Sequence, residues 1–345
     1  EDHIDFTSTG FKAKNNDDST NDNGTHIYIA IRRSDGYVGK PPELGTDVFG
    51  LTTGAGSSAR PAFVPNFPVD FHMLRKPATS SQNWQTSARL IGSKVLWTNA
   101  TNAESAHGDY VWDSNVGVTK DFDSSYQGWS WKRHAGFDTL AYKGNPNIPM
   151  AHNLGRTPEM IWVKVRDKAD DWAVWHKNLN YGLASASMWI KLNANNAEYS
   201  SGQSRFGGTS NLAPTATHIF SQGVDSDETN SSSYNYVAML FASVDGICKV
   251  GHYTGTGTEL DITEVGFQPR FLMVRRTNAT DNWVTWDSTR GFYTNYLAEQ
   301  EELYLNDDQA QSDFDHRIKA TSTGFSFEGS TYNVSGGQYL YYAHA

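Results

Sequence analysis

A segment that occurs three times most strongly constrains how this 345-residue chain can fold. The clearest copy is LGRTPEMIWVKVRDKADDWAVW at residues 154–175, a second is GFQPRFLMVRRTNATDNWVTW at 266–286, and a weaker one is FPVDFHMLRKPATSSQNW at 67–84. In each copy a Pro precedes an alternating apolar segment, a polar turn follows, and a Trp opens the next apolar segment. Repetition of this kind predicts structural repeats that each form a similar unit.

A second set of matched positions lies downstream of each copy. Asn99, Asn193 and Asn306 are followed four and five residues later by Ala103-Glu104, Ala197-Glu198 and Ala310-Gln311. Because a catalytic residue has no need to be copied into every unit, Glu104 and Glu198 are interpreted as structural. The repeats are assigned to residues 36–136, 137–246 and 247–345. Residues 1–35 match the closing strands of a repeat, which favours a chain trimmed from a longer protein.

The strand patterns indicate an all-β protein. Apolar and polar residues alternate in the repeated segments, aromatic residues make up 13% of the chain, and it contains 30 Gly, a mixture typical of strands joined by turns. A period of about 100 residues predicts tandem β-sandwich repeats of the jelly-roll or lectin-like kind. The best helix candidate, 297–305, is short, and residues 52–68 are expected to form a long exposed loop.

Composition excludes several classes of partner. The formal charge is −10 and the basic residues are dispersed in pairs, whereas nucleic-acid binding needs clustered Lys and Arg. No apolar run reaches the roughly 20 residues of a membrane span, so membrane insertion is not expected. The N-terminus lacks the charged and apolar regions of a signal peptide. A single cysteine, Cys248, excludes an intramolecular disulfide and a multi-cysteine metal site.

Motifs for catalysis or cofactor binding are missing from the sequence. There is no GxSxG, phosphate-binding loop or dinucleotide fingerprint, and no two of the 38 acidic residues are marked as a pair for glycoside hydrolysis. The 11 histidines show no zinc-binding spacing. The sequence therefore predicts a protein that is not an enzyme, with no catalytic residues, no metal site and no cofactor.

The aromatic residues offer the remaining candidates for binding. Trp84, Trp172 and Trp283 recur at one position of the repeat, and such residues are more often core residues than platforms for a sugar ring. Tyr181, Tyr293 and Tyr296 lie in variable loops and are the candidate ligand-binding residues.

Five segments together resemble a known family. They are IAIRRSDGYVGKPPELGTDVF (29–49), WSWKRHAGFD (129–138), HNLGRTPEMIWVKVRD (152–167), FASVDGICKVGHYTGTG (241–257) and GFQPRFLMVRR (266–276). In these phrases the chain resembles the repeat-containing virion structural proteins of tailed marine bacteriophages, which are described as tail-fibre-like. The resemblance implies a particle component at the tail or on the capsid surface, and it carries no catalytic residues.

The leading hypothesis is therefore a bacteriophage virion protein that acts as fibre, knob or surface decoration and contributes to host attachment. Its expected partners are other virion subunits, further copies of itself in a homo-oligomer with a trimer favoured, and a host surface glycan. Its expected location is the extracellular particle. The alternative is a secreted carbohydrate-binding or glycan-degrading β-sandwich protein. A purely architectural shell component without a ligand also remains open.

Overall fold

The computed structural model describes residues 4–7, 10–13, 25–26, 28, 42–56, 58–181, 187–200, 205–206, 214–220, 222–294, 300–313 and 318–345. Two compact units are present, residues 1–40 and 41–345. In the first, strands β1 (Ile4–Thr7) and β2 (Gly10–Ala13) form an antiparallel hairpin.

The second unit consists of strands joined by turns, with short 3-10 helices at Gly45–Asp47, Arg89–Ile91 and Ser288–Arg290. The all-β prediction is confirmed. Among the described residues, no helix has the length and apolar character needed to cross a membrane.

The first repeat contributes one six-stranded antiparallel sheet in the order β3-β8-β4-β5-β6-β7. Its strands are β3 (Phe49–Thr53), β4 (Phe71–Arg75), β5 (Gln85–Ala88), β6 (Lys94–Trp97), β7 (Ser105–Ala106) and β8 (Gln127–Trp131). The last strand of the repeat inserts between its first two strands, so the sheet needs residues from the whole repeat.

The second repeat has the same order, β14-β13-β12-β11-β16-β9, and a separate two-stranded sheet of β10 and β15. The strands are β9 (Phe137–Lys143), β10 (Met150–Ala151), β11 (Met160–Val165), β12 (Trp172–His176), β13 (Met188–Lys191), β14 (Tyr199–Ser200), β15 (His218–Phe220) and β16 (Asn235–Phe241).

The third repeat again forms a six-stranded sheet, β17-β25-β19-β20-β21-β22, and a three-stranded sheet, β18-β24-β23. The strands are β17 (Cys248–Thr254), β18 (Leu260–Ile262), β19 (Phe271–Arg276), β20 (Trp283–Asp287), β21 (Glu301–Tyr304), β22 (Ser312–Asp313), β23 (Ile318–Thr321), β24 (Gly324–Phe327) and β25 (Gln338–His344). The best helix candidate of the sequence contains β21, so its helical interpretation is wrong there.

The three large sheets bury one face in a single shared core. Side chains alternate across a strand, so Trp162 of β11, Met73 of β4 and Met273 of β19 point inward and belong to one cluster that draws residues from all three repeats. The repeats are therefore not independent sandwiches in series, because none of the three inner faces is covered within its own repeat.

The opposite face of each sheet has a core of its own. In the third repeat, Phe325 and Phe327 of the three-stranded sheet pack against Leu272 and Trp286, which is the two-layered arrangement of a sandwich. In the first repeat the segment 52–68 takes this role. Its Phe63 is fully buried, so the expectation of a wholly exposed loop is wrong, since the outer face must be covered.

Candidate functional site

The repeated tryptophans join the repeats into a closed ring. Each is at most 1% exposed and donates its indole N–H to a backbone carbonyl of another repeat. Trp172 donates to Trp97 at 2.8 Å, Trp283 to Lys191 at 2.7 Å, and Trp84 to Tyr304 at 2.8 Å. The second repeat thus binds the first, the third binds the second, and the first binds the third. The core interpretation of these residues is confirmed.

The contact between two neighbouring repeats is here called a seam, and the Trp that donates across it is called the seam Trp. The matched Asn and Glu/Gln residues make further hydrogen bonds at each seam. The backbone N–H of each seam Trp donates to the side chain of Asn99, Asn193 or Asn306 at 2.7–3.0 Å. Further along, the backbone N–H groups of Glu104, Glu198 and Gln311 donate to Arg166, Thr277 and Pro77 across the seams at 2.7–2.8 Å. These backbone hydrogen bonds across the seams support the structural interpretation of Glu104 and Glu198.

A buried Arg lies beside two of the three seam tryptophans on the inner faces. The guanidinium carbon of Arg75 lies 5.6 Å from the ring centre of Trp84, and that of Arg275 lies 5.9 Å from Trp283. Arg75 donates to the carbonyl of Asp307 at 3.0 Å. Burial lowers the pKa of Arg75 and of Arg275 to about 10. Both remain charged at neutral pH and satisfy carbonyls of the neighbouring repeat.

The seam between the third and first repeats carries a groove with both polar and apolar lining, here called the seam groove. It comprises two adjoining cavities of about 390 and 290 Å³ that share Thr53 and Gln127. The lining residues are Leu51, Thr52, Thr53, Ala55, Ala62, Val64, Pro77, Ala78, Thr79, Ser124, Ser125, Tyr126, Gln127, Thr289, Arg290 and Gln311. The last three belong to the third repeat and the others to the first, so both repeats form the groove.

One departure from the repeat accounts for the polarity of the seam groove. Gln127 of β8 pairs with Arg75 on the neighbouring strand. The equivalent pairs are Val237 of β16 with Lys164 and Leu340 of β25 with Arg275. Val237 and Leu340 are core residues, whereas an amide occupies this inner-face position in the first repeat. An amide needs hydrogen-bond partners, so the core is polar where it meets the seam.

A charged pair closes one wall of the groove. Arg290, 8% exposed, forms an ion pair with the fully buried Asp287 at 2.8 Å. Asp287 also accepts from the indole N–H of Trp129 at 3.0 Å, across the seam. Because Asp287 neutralises Arg290, the polar groups of the groove are mainly hydroxyls and amides, and they lie beside apolar side chains such as Leu51 and Val64. Among the described residues, its lining contains no Asp, Glu, His or Cys.

The ligand-binding candidates of the sequence lie elsewhere. Tyr181 is 62% exposed and Tyr293 is 44% exposed, and neither lines the seam groove. Tyr296 lies outside the described residues. Sequence reasoning missed Tyr126 and Gln127, which are in the segment that closes the first repeat. The replacement of an inner-face apolar residue by Gln127 is the signal that a strand-by-strand alignment of the repeats offers.

Comparison with known proteins gives one match. A protein-family model described as a domain of unknown function, DUF7483, matches residues 90–345. No curated protein and no solved structure matches the chain. The matched region begins within the first repeat and extends to the end of the third, so it includes Trp172 and Trp283 but not Trp84, Arg75 or Pro77.

Proposed function

The chain belongs to the DUF7483 family of domains of unknown function, and we propose that it is a structural protein of a bacteriophage virion. In this proposal it forms a fibre, a knob or a surface decoration of the extracellular particle and contributes to host attachment. The seam groove is its binding site, and the ligand is a glycan of the host surface. The resemblance in the repeated phrases supports the particle assignment.

The observation that carries the attachment role is the position and lining of the seam groove. Hydroxyl groups of Thr53, Ser124 and Ser125 and the amide of Gln127 line it, and these groups hydrogen-bond to sugar hydroxyls. Tyr126 adds an aromatic ring, over which the Lys76 ammonium lies at 4.6 Å. Sheets with a common core hold these residues in place, and preorganisation reduces the cost of binding.

Homo-oligomerisation belongs to the proposal. One groove of this size contacts a few sugar units, which gives weak binding on its own. Several copies in a symmetric assembly, with a trimer favoured, would bind a repetitive glycan surface more tightly than one copy. The gain in affinity comes from the high effective concentration of the further sites once one is bound.

The polar lining also favours the alternative, a secreted carbohydrate-binding protein. A glycan-degrading version of it is less well supported at this site. Glycoside hydrolysis commonly uses two carboxylates on either side of the bond, and the described lining of the seam groove contains none.

Immunogold labelling of particles tests the virion role with an antibody raised against the purified chain. Label on tails or heads is expected. Particles without label, together with free chain in the medium, would contradict the virion assignment and favour the secreted alternative.

Binding to host surface polysaccharide tests the groove separately. Tyr126→Ala and Gln127→Val are expected to weaken binding at least about tenfold, since each removes a contact worth roughly 1.4 kcal/mol or more. The exposed Tyr181→Ala, outside the groove, is the matched control and should leave binding unchanged. Equal binding by all four proteins would contradict the groove assignment and leave the particle assignment unaffected.

A further inference from the structure

A buried cluster of a thiol and two imidazoles lies in the described part of the shared core. Cys248, His134 and His344 each offer one ligand atom, and these atoms lie within 4.8 Å of one another. All three residues are at most 3% exposed. No sequence motif indicates this group, because its residues come from the end of the first repeat and from the first and last strands of the third.

The repeat alignment shows that this cluster replaces aromatic residues. Cys248 pairs with His344 across β17 and β25, and the corresponding pair in the second repeat is Phe137 with Phe241. In the first repeat it is Phe49 with Trp131. Packing is thus satisfied by apolar rings in two repeats, whereas the third has a thiol and an imidazole at the same two positions.

Among the described residues, each imidazole has one nitrogen without a hydrogen-bond partner. Nδ1 of His344 donates to the carbonyl of Ala345 at 3.2 Å, and its Nε2 has no partner. The hydrogen bond to the carbonyl fixes the imidazole proton on Nδ1, so the lone pair of Nε2 is available to bind a metal. Nε2 of His134 is also buried without a partner, and an unsatisfied buried group of this kind calls for an explanation.

We propose that Cys248, His134 and His344 bind one thiophilic d10 cation, either Zn²⁺ or monovalent copper. A thiolate and two imidazoles are the donors that these ions prefer. Cys248 gives up its thiol proton to solvent on binding. With Cu⁺ the thiolate and the ion cancel in charge, which suits a site without a carboxylate ligand.

Binding requires three local adjustments. The Cys248 thiol donates to the carbonyl of Ala242 at 3.2 Å, and loss of the thiol proton breaks this hydrogen bond. Zn–S and Zn–N bonds of about 2.3 and 2.0 Å place a Cys and a His ligand atom at most about 4.3 Å apart, so a pair separated by the full 4.8 Å must approach. In addition, the Gly136 N–H donates to Nδ1 of His134 at 3.1 Å. Coordination through Nε2 moves the imidazole proton to Nδ1 and breaks this hydrogen bond.

Burial keeps the cluster neutral when no ion is bound. Burial raises the pKa of the Cys248 thiol to about 12 and lowers that of His134 to about 3. Arg156 acts on both, lowering the pKa of each. A metal is therefore needed to deprotonate Cys248 at neutral pH, as metals do for coordinating thiols.

Metal titration of the full chain, purified with chelator and reductant, tests the proposal. We expect one Zn²⁺ or, under anaerobic conditions, one Cu⁺ per chain after desalting, with a raised Tm because the ion binds the folded state. Co²⁺ as a probe should give a thiolate charge-transfer band. Cys248→Ser should abolish the band, and His344→Phe, which installs the residue of the second repeat, should weaken binding at least about tenfold.

His176→Phe is the matched control. His176 is also fully buried, its Nδ1 accepts from the Asn178 N–H at 3.0 Å, and its Nε2 has no partner, but it is outside the cluster. Unchanged metal binding is expected for this variant. The proposal is overturned if the unmodified chain retains neither ion in excess metal, a result that does not depend on whether any variant folds. Equal loss on His176→Phe would also overturn it.

Discussion

The seam between the first and second repeats and the seam between the third and first share a backbone pattern but differ in their side chains. Both have a buried Trp that donates to a backbone carbonyl at 2.8 Å. At the first seam Glu104 also binds Arg166 through two hydrogen bonds of 2.7 and 3.2 Å. At the other seam the matched residue is Gln311, whose side-chain oxygen is buried without a partner.

The difference distinguishes the contacts that all seams share from the side chains that differ between seams. The Trp contacts are retained at every seam because the common core is closed only when all three are made. The side chains beside them differ from seam to seam, and between the third and first repeats they line the seam groove. Variation there leaves the closure of the ring unchanged.

The largest effect is expected from the seam tryptophans. Trp172→Ala and Trp84→Ala should each lower the free energy of unfolding by about 3–5 kcal/mol, since each leaves a large cavity and an unpaired carbonyl. Urea unfolding measures the loss. The half-buried Trp112, which lies at no seam, is the control for the same change and should cost less. If Trp84→Ala costs less than Trp112→Ala, the first and third repeats are not joined as described.

The next effect separates the two seams. Glu104→Ala should cost about 1–3 kcal/mol, because Arg166 is only 19% exposed and loses its charged partner. Gln311→Ala should cost less, since only its backbone N–H crosses the seam. Unfolding in urea of both variants compares them, and equal losses would remove the distinction between the seams.

The smallest effect concerns Glu198 at the seam between the second and third repeats. Burial raises the pKa of this carboxyl group, which accepts from the Asn180 N–H at 2.8 Å. A raised folded-state pKa means that folding disfavours the ionised form. The resulting loss of folding stability is present above the folded-state pKa and absent below the unfolded value of about 4.3. Glu198→Gln, which copies the residue of Gln311, should therefore stabilise the protein at pH 7 by less than about 1 kcal/mol.

This gain should shrink as the pH falls towards about 4, and thermal unfolding between pH 4 and 7 measures it. Glu104→Gln is the matched control. It should destabilise the protein at pH 7, because Arg166 then loses its charged partner. A Glu198→Gln variant that is less stable than the unmodified chain at pH 7 would show that the ionised carboxylate supports the seam.

Several features of the fold were available from the sequence because they depend on local patterns. Alternation in MIWVKV and FLMVRR predicts strands with one face on a core and the other toward solvent or a neighbouring unit. β11 and β19 confirm the strands and the core face, and most of the other face is buried as well. The recurrence of Trp84, Trp172 and Trp283 predicts their burial. Strand propensity and period are properties of neighbouring residues, so they can be read without knowledge of the rest of the chain.

Ring closure, the seam groove and the buried thiol–imidazole cluster were decided only by the tertiary structure. Trp84 and Tyr304 are 220 positions apart, and no local pattern indicates which repeat a Trp contacts. Gln127 and Arg290 line one groove although they belong to the first and third repeats. The sequence determined what each repeat buries, whereas the packing of three inner faces around one core determined which distant side chains meet.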